Sequence, residues 1–308
     1  MLDLATSVVP YLALSVVMYL LLDVSYVLVL LVAVPAGGFM LRTYILFHDC
    51  THGSFLPTKR ANTWVGRFLA LLVYSPFSAW RHSHAMHHAT AGDLERRGTG
   101  DVPTWTVAEY NEAARIKRMG YWLFRHPLVM FVLGPIWAMI IGPRIARPSQ
   151  RPRIRNSILW TNLGIATMVV ALSLLISFRA YLLVWAPPAL IAGACGVFMF
   201  YVQHQFEDAY WESGESWNYA DAALRGSSYL HLNKPLQFFT GNIGLHHVHH
   251  LSASIPNYNL QRAHDENPIF HDVPRLTLWD GVKAVRLKLF DEQDRRLVTF
   301  KQARLRRS

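Results

Sequence analysis

The chain of 308 residues contains 15 histidines. Ten of them lie in three short runs: His48-Asp49-Cys50-Thr51-His52, Arg81-His82-Ser83-His84-Ala85-Met86-His87-His88, and His246-His247-Val248-His249-His250. Side chains three and four residues apart share one face of a helix. His48 therefore pairs with His52, His84 with His87 and His88, and His246 with His249 and His250, and each run is expected to present its imidazoles to one point. Imidazole nitrogen binds iron, zinc, copper and nickel, and eight such ligands exceed what one ion accepts, so two metals are the natural count. His82 and His247 are surplus to the pattern. The position of His204, in Val202-Gln203-His204-Gln205-Phe206-Glu207, leaves its role undecided, and His126, His231, His264 and His271 are read as surface or satisfied core residues.

Other metal and nucleotide patterns are missing from the sequence. A carboxylate-bridged di-iron bundle needs a repeated Glu-x-x-His, and a zinc protease needs His-Glu-x-x-His; neither occurs, nor does a glycine-rich phosphate loop. Asp49 has the right spacing to His52, but a carboxylate there reads better as a partner that orients an imidazole.

The elements that must position these residues are apolar. Hydrophobic residues make up 52% of the chain and charged residues 16%, against roughly 25% charged in an ordinary soluble domain. Residues 4–41 are apolar apart from Asp23 near the middle. Each half is close to the roughly 20 residues that cross a bilayer, so a helical hairpin turning at Asp23-Val24-Ser25 is expected, with Pro10 and Pro35 tolerated inside it. A second hairpin is expected over 157–202, with its turn at Arg179. Between them lies a cytosolic or interfacial segment, 48–156, in which 64–77 and 127–142 are too short or too interrupted to span. A hydrophilic tail, 204–308, ends in a basic amphipathic stretch, 276–305, read as a surface helix. All of this forms one all-α membrane domain, with a helical cap over the histidines. Of the 30 Lys and Arg residues, all except Arg179 fall on one face of this layout. The positive-inside rule makes that face cytoplasmic, with both termini and the histidines on it. The formal net charge of +10 is therefore a topology signal and an attraction to anionic lipid, not a nucleic-acid footprint. Met1-Leu2-Asp3-Leu4 has no positive stretch ahead of the first apolar run, so that run is expected to remain as structure. Cys50 and Cys195 are not expected to pair.

In order and spacing, residues 48–52, 84–88 and 246–250 resemble the three histidine boxes of the integral-membrane fatty acid desaturases. Phe47-His48-Asp49-Cys50-Thr51-His52-Gly53-Ser54-Phe55 resembles the first box of the acyl-lipid type. Gly241-Asn242-Ile243-Gly244-Leu245-His246 and Ile255-Pro256-Asn257-Tyr258 resemble the surroundings of the third box. The resemblance covers about residues 38–262. It implies a four-span bundle with a cytosolic cap, two irons, O2 as co-substrate and two supplied electrons that put a double bond into an acyl chain, lipid- or CoA-linked. It also implies His48, His52, His84, His87, His88, His246, His249 and His250 as ligands, and His204 as a further one, because the family has a histidine just after the last span. Asn242 is a candidate polar neighbour of the metals. Trp80, Phe198 and Tyr201 are candidates to line an acyl tunnel. No fused haem domain with His-Pro-Gly-Gly is present, so the electrons are expected from a separate ferredoxin or cytochrome. Membrane hydroxylases and ketolases acting on lipids, alkanes or carotenoids use related boxes and remain an alternative. A divalent-metal transporter is a remote one, because the expected spans hold no charged ligand at mid-membrane.

Overall fold

The computed structural model describes residues 1–98 and 100–305; the last residues of the expected tail, 306–308, lie outside them. Four helices are long and apolar enough to cross a membrane: α1 (Leu2–Leu21), α2 (Tyr26–His52), α7 (Pro152–Ile176) and α8 (Phe178–His204). Between α2 and α7 come α3 (Lys59–Leu72), α4 (Phe77–Thr90), the short strand β1 (Trp105–Thr106), α5 (Val107–Glu112), α6 (Arg115–Phe124) and a π-helical stretch broken at Gly134 and Pro135. Following α8 are α9 (Tyr219–Arg225), β2 (Tyr229–Leu230), α10 (Lys234–Phe239), α11 (His246–Leu251), α12 (Leu260–Glu266), β3 (Arg275–Leu276), α13 (Leu278–Ala284), β4 (Leu289–Asp291), β5 (Arg296–Val298) and α14 (Phe300–Leu305). The chain divides into two compact units, Met1–His82 with Phe131–Gly196 and Phe238–Gly241, and Ser83–Met130 with Val197–Gln237 and Asn242–Ser308.

In the first unit, α1 and α2 form the expected hairpin. Ser25 starts α2 in extended backbone. Met18, Val29, Ala33, Ala36 and Val184 are buried together, and a methyl group on Gly37 would come within 2.8 Å of Ile191, so helix backbones approach closely there. Helix α2 does not stop at the end of its apolar run. Arg42, halfway along, is buried and pairs with Asp3 at 2.6 Å, and the helix continues through the first histidine run. Gly53 ends it in the left-handed region at φ 77°, where only a residue without Cβ is free of strain. The second hairpin departs from expectation at its turn. The break is the single residue Ser177, at φ 72°, and Arg179 lies in the first turn of α8. His204 is the last residue of that helix rather than a residue beyond it.

The region 64–77 is mostly the amphipathic helix α3, capped by Thr58, whose side chain accepts from the Ala61 amide at 3.1 Å. Its Leu69 and Ala70 are buried, while Trp64 and Phe68 are exposed. The stretch 127–142 is π-helical over Val129–Leu133 and Ile136–Ile141 and interrupted between them at Gly134 and Pro135.

The second unit corrects the reading of the tail. Instead of one surface helix over 276–305, β4 and β5 pair antiparallel with Leu289 opposite Val298, and β1 joins β4 in parallel with Trp105 beside Leu289. Leu289, Phe290, Leu297 and Val298 are all buried. They pack with Tyr110, Tyr121 and Ala303 on one side and with Phe206, Ala209 and Trp211 on the other. The turn has a mechanism: Asp291 accepts from the Gln293 and Asp294 amides, and Arg295 adopts φ 53°. A second parallel pair joins Tyr229 of β2 to Arg275 of β3.

Candidate metal centre

Three helices bring four imidazoles together in the second unit. His87 comes from α4, His204 from the end of α8, and His246 and His250 from successive turns of α11; all four are buried. Their Nε2 atoms converge. His87 lies 3.2 Å from both His204 and His250, and His246 lies 3.0 Å from His204 and 3.2 Å from His250. The opposite nitrogens of two rings are held from outside: Nδ1 of His87 donates to the Asp101 carboxylate, and Nδ1 of His204 to the Gly226 carbonyl at 3.1 Å. Neither acceptor carries a proton to give, so Nδ1 of each ring holds the hydrogen and Nε2 offers only a lone pair. Burial, then the neighbouring rings of His88 and His246, push His250 well below the ordinary imidazole value, which keeps it neutral. The lone pairs of His87 and His204, facing each other at 3.2 Å, repel unless a cation lies between them. The donor set therefore fits a metal ion that accepts nitrogen ligands.

His84, His88 and His249 form a second group in the same unit, each with a nitrogen within 4.8 Å of the others. Nε2 of His84 and Nε2 of His88 are 3.1 Å apart. The His88 ring stacks on His250 with centroids 4.2 Å apart, so the two groups are neighbours. This corrects the expectation that each run aims at one point. The run on α4 splits, with His84 and His88 in one group and His87 in the other. The run on α11 splits the same way, His249 against His246 and His250. The cause is helix geometry: residues three apart and four apart lie about 60° and about 40° to opposite sides of the first, about 100° from each other, enough to serve two adjacent points.

In the first unit, His48 and His52 close α2 with ring centroids 4.8 Å apart. Nδ1 of His48 lies 3.0 Å from Asp49 Oδ1. Trp80 packs edge-on against His48, at 5.5 Å, and against Tyr44 and Phe47.

The surplus histidines separate from these groups. His82 is exposed. His247 is fully buried but turns away, its Nε2 3.1 Å from Nδ1 of His264. Burial, then the neighbouring His264, lower its pKa to about 3. Asn242 adopts φ 57°, and its side-chain amide donates to the Asn257 carbonyl at 3.2 Å, fixing the turn before α11. The Tyr201 hydroxyl meets Arg125 and the Leu287 carbonyl. Phe198 lies beside Gly281, where an added methyl would come within 3.3 Å of its ring.

Sequence reasoning missed the groups that set the ring orientations. Asp101 follows the second histidine run by 13 positions, in Gly98-Thr99-Gly100-Asp101, with no spacing that marks it. The Gly226 carbonyl has no side chain to mark it, and Tyr219, whose hydroxyl donates to the His250 carbonyl, lies far from any run.

Comparison with known proteins agrees with this geometry. The family model described as fatty acid desaturase matches residues 25–278. A fatty acid desaturase of Bacillus subtilis (strain 168) is 43% identical over 301 residues, covering 98% of this chain and 86% of that protein. An sn-1 oleoyl-lipid 12-desaturase of Arthrospira platensis is 27% identical, covering 71% of this chain and 62% of its own length. An sn-1 acyl-lipid omega-3 desaturase (ferredoxin) of Synechocystis is 26% identical with the same coverage of both chains, 71% and 62%.

Proposed function

From the chain's membership of the fatty acid desaturase family, oxidoreductases that introduce double bonds into acyl chains, we propose that it desaturates acyl chains carried by membrane lipids, using two irons, O2 and two electrons from a separate carrier. The observation that carries the metal is the convergence of the Nε2 atoms of His87, His204, His246 and His250 at 3.0–3.2 Å, with the lone pairs of His87 and His204 facing each other. The acyl-lipid activity of two relatives supports the lipid substrate, and the ferredoxin in one relative's name supports a soluble carrier. Family membership and four helices long and apolar enough to span make the protein membrane-bound. The basic residues, nearly all on one face of the layout, support a cytoplasmic site and termini.

The nine histidines of the sequence reading are the proposed ligands. His87, His204, His246 and His250 hold one iron, His84, His88 and His249 contribute to the other, and His48 and His52 are the further ligands that the family resemblance implies. When bound, the irons supply the activation of O2 that side chains alone cannot. The protein's own residues do the rest. Asp101 and the Gly226 carbonyl fix the tautomers of His87 and His204, and Asp49 orients His48. Burial of the rings excludes bulk water, and the spanning helices hold the site at the membrane, where an acyl chain reaches it without entering water. The balance is one saturated CH2–CH2 unit, O2, two electrons and two protons in, and one C=C bond and two waters out.

Fatty-acid methyl ester profiling of membranes from a host expressing the chain tests this, together with elemental analysis of the purified protein. New unsaturated acyl species and iron near two per chain are expected. Hydroxylated or keto products without new double bonds would move the assignment to the hydroxylase and ketolase alternative, and protein without iron would remove the metal reading.

A further inference from the structure

Beneath the end of α8 lies a second polar cluster that the metal groups do not use. Arg125, just past α6, has no exposed surface. Its two terminal nitrogens, four N–H between them, lie within hydrogen-bond reach of six neutral acceptors: the carbonyls of Pro103 at 2.6 Å and Leu287 at 3.3 Å, the hydroxyls of Tyr121 at 3.1 Å, Tyr201 at 3.0 Å and Thr104 at 3.5 Å, and Gln205 Oε1 at 2.8 Å. Among the described residues it forms no ion pair. A buried cation without a counter-ion costs stability that a buried apolar side chain would not, so its placement calls for a reason beyond packing.

The acceptors supply one. Tyr201 and Gln205 flank His204, three residues before it and one after, so the fork of Arg125 grips both sides of the ligand's own helical turn. That turn is where α8 ends and where backbone bonds run out. The Gln205 amide makes the last of them, to the Tyr201 carbonyl at 2.8 Å. Gln203, on the other side, donates to the Ile243 carbonyl at 2.7 Å, tying the same turn to the loop before α11. The remaining Arg125 partners belong to α6, to the strand entering β1 and to the loop before β4. Four separate segments thus hold one turn in register.

We propose that Arg125, acting through Gln205 and Tyr201, is a positioning residue for His204, fixing the rotation of the last turn of α8 so that Nε2 of His204 faces His87 and His246. The proposal rests on the reading of His204 as a metal ligand. A two-nitrogen fork is required: one terminal nitrogen meets Tyr201 and Gln205 while the other meets Pro103 and Tyr121, and lysine keeps the charge but has one nitrogen for both jobs.

The test uses the full chain in detergent, with Arg125→Lys, Gln205→Leu, Gln205→Glu and Tyr121→Phe. Two readouts are taken: bound iron with its Mössbauer spectrum, and amide hydrogen exchange over residues 203–206 in metal-free protein. For Arg125→Lys and Gln205→Leu, iron is expected to fall from about two to about one per chain, with loss of one spectral component and at least about tenfold faster exchange in that turn. Gln205→Glu keeps an acceptor for Arg125 and Tyr121→Phe removes a partner remote from His204, so both retain two irons. Gln205→Leu leaves the other five acceptors in place and decides the matter if Arg125→Lys does not fold. Two irons, an unchanged spectrum and unchanged exchange in folded Gln205→Leu would overturn the proposal. Wild-type protein without iron would instead overturn the metal reading, and exchange in metal-free protein would still judge the clamp.

Discussion

The last turn of α8 separates two buried polar clusters of opposite chemistry. Around His204, four ring nitrogens converge, and with the outward N–H groups of His87 and His204 committed to Asp101 and Gly226, the inward nitrogens of those two rings face each other as acceptors. Around Tyr201 and Gln205, the guanidinium of Arg125 and the amine of Lys288 bring donors together, with Lys288 Nζ 5.3 Å from the Tyr201 ring centre and no carboxylate bonded to either among the described residues. The first imbalance is removed only by a cation from outside the chain. The second is absorbed within it, by carbonyl, phenol and amide oxygens around Arg125 and by loss of a proton at Lys288. Two clusters of buried nitrogen in one unit thus make different demands, one for a ligand and the other for a network.

Removing one acceptor from the first cluster has the largest expected effect. His204→Ala takes away a converging lone pair, and metal content and turnover are expected to fall together, turnover by more than about 100-fold, since loss of outer partners alone costs 10–100-fold. His247→Ala is the control within the same helix run as His246. It breaks the donor–acceptor pair with His264, and is expected to cost about 1–3 kcal/mol of stability while iron content stays at the wild-type level. Elemental analysis of both proteins decides; loss of iron from His247→Ala would erase the distinction between converging and self-satisfied histidines.

A smaller effect is expected from reversing one ring without removing it. In Asp101→Asn the side-chain amide can donate to Nδ1 of His87, which moves the ring hydrogen to Nε2, into the cluster. Turnover and metal affinity are expected to fall about 10–100-fold, with helix content unchanged by circular dichroism. Asp101→Glu keeps an acceptor and is expected to recover part of the loss, whereas equal activity of Asp101→Asn and wild type would show that the His87 tautomer is set by something other than Asp101.

The first cluster was largely legible in the sequence and the second was not. Histidines at spacing three and four announce a shared helix face, and long apolar runs announce spans; both signals are local. Whether one run serves one point or two depends on where α4, α8 and α11 lie, and no spacing within a run encodes that. His204 drew attention only through resemblance. Asp101 and the Gly226 carbonyl act across 14 and 22 positions of chain. Arg125 and Lys288 read as two more basic residues of a charged face, and their burial follows from a β4–β5 hairpin that the basic amphipathic pattern of 276–305 concealed. In that stretch Leu289, Phe290, Leu297 and Val298 match a helix stripe nearly as well as two short strands, and pairing with β1, far away in sequence, settles the choice.

The smallest expected effect falls on the donor side and turns on pH. Lys288 is buried, and burial, then the nearby charge of Arg125, lower its pKa to about 7, against roughly 10.4 in an unfolded chain. Between those values the unfolded chain holds a proton that the folded chain has released, so this residue makes stability rise with pH across that window, and its penalty is fully present at and below about pH 7. Lys288→Met keeps an unbranched side chain of similar length and removes the charge. It is expected to raise the melting temperature at pH 6.5–7 by the equivalent of about 1–3 kcal/mol, the full linkage value being reduced for residual solvent screening, and the gain should shrink toward zero near pH 10. Thermal unfolding in detergent at pH 7 and pH 9.5 measures both ends. A loss of stability of equal size at both would mean that the amine makes a bond worth keeping within the fold, and that its burial is not a net cost.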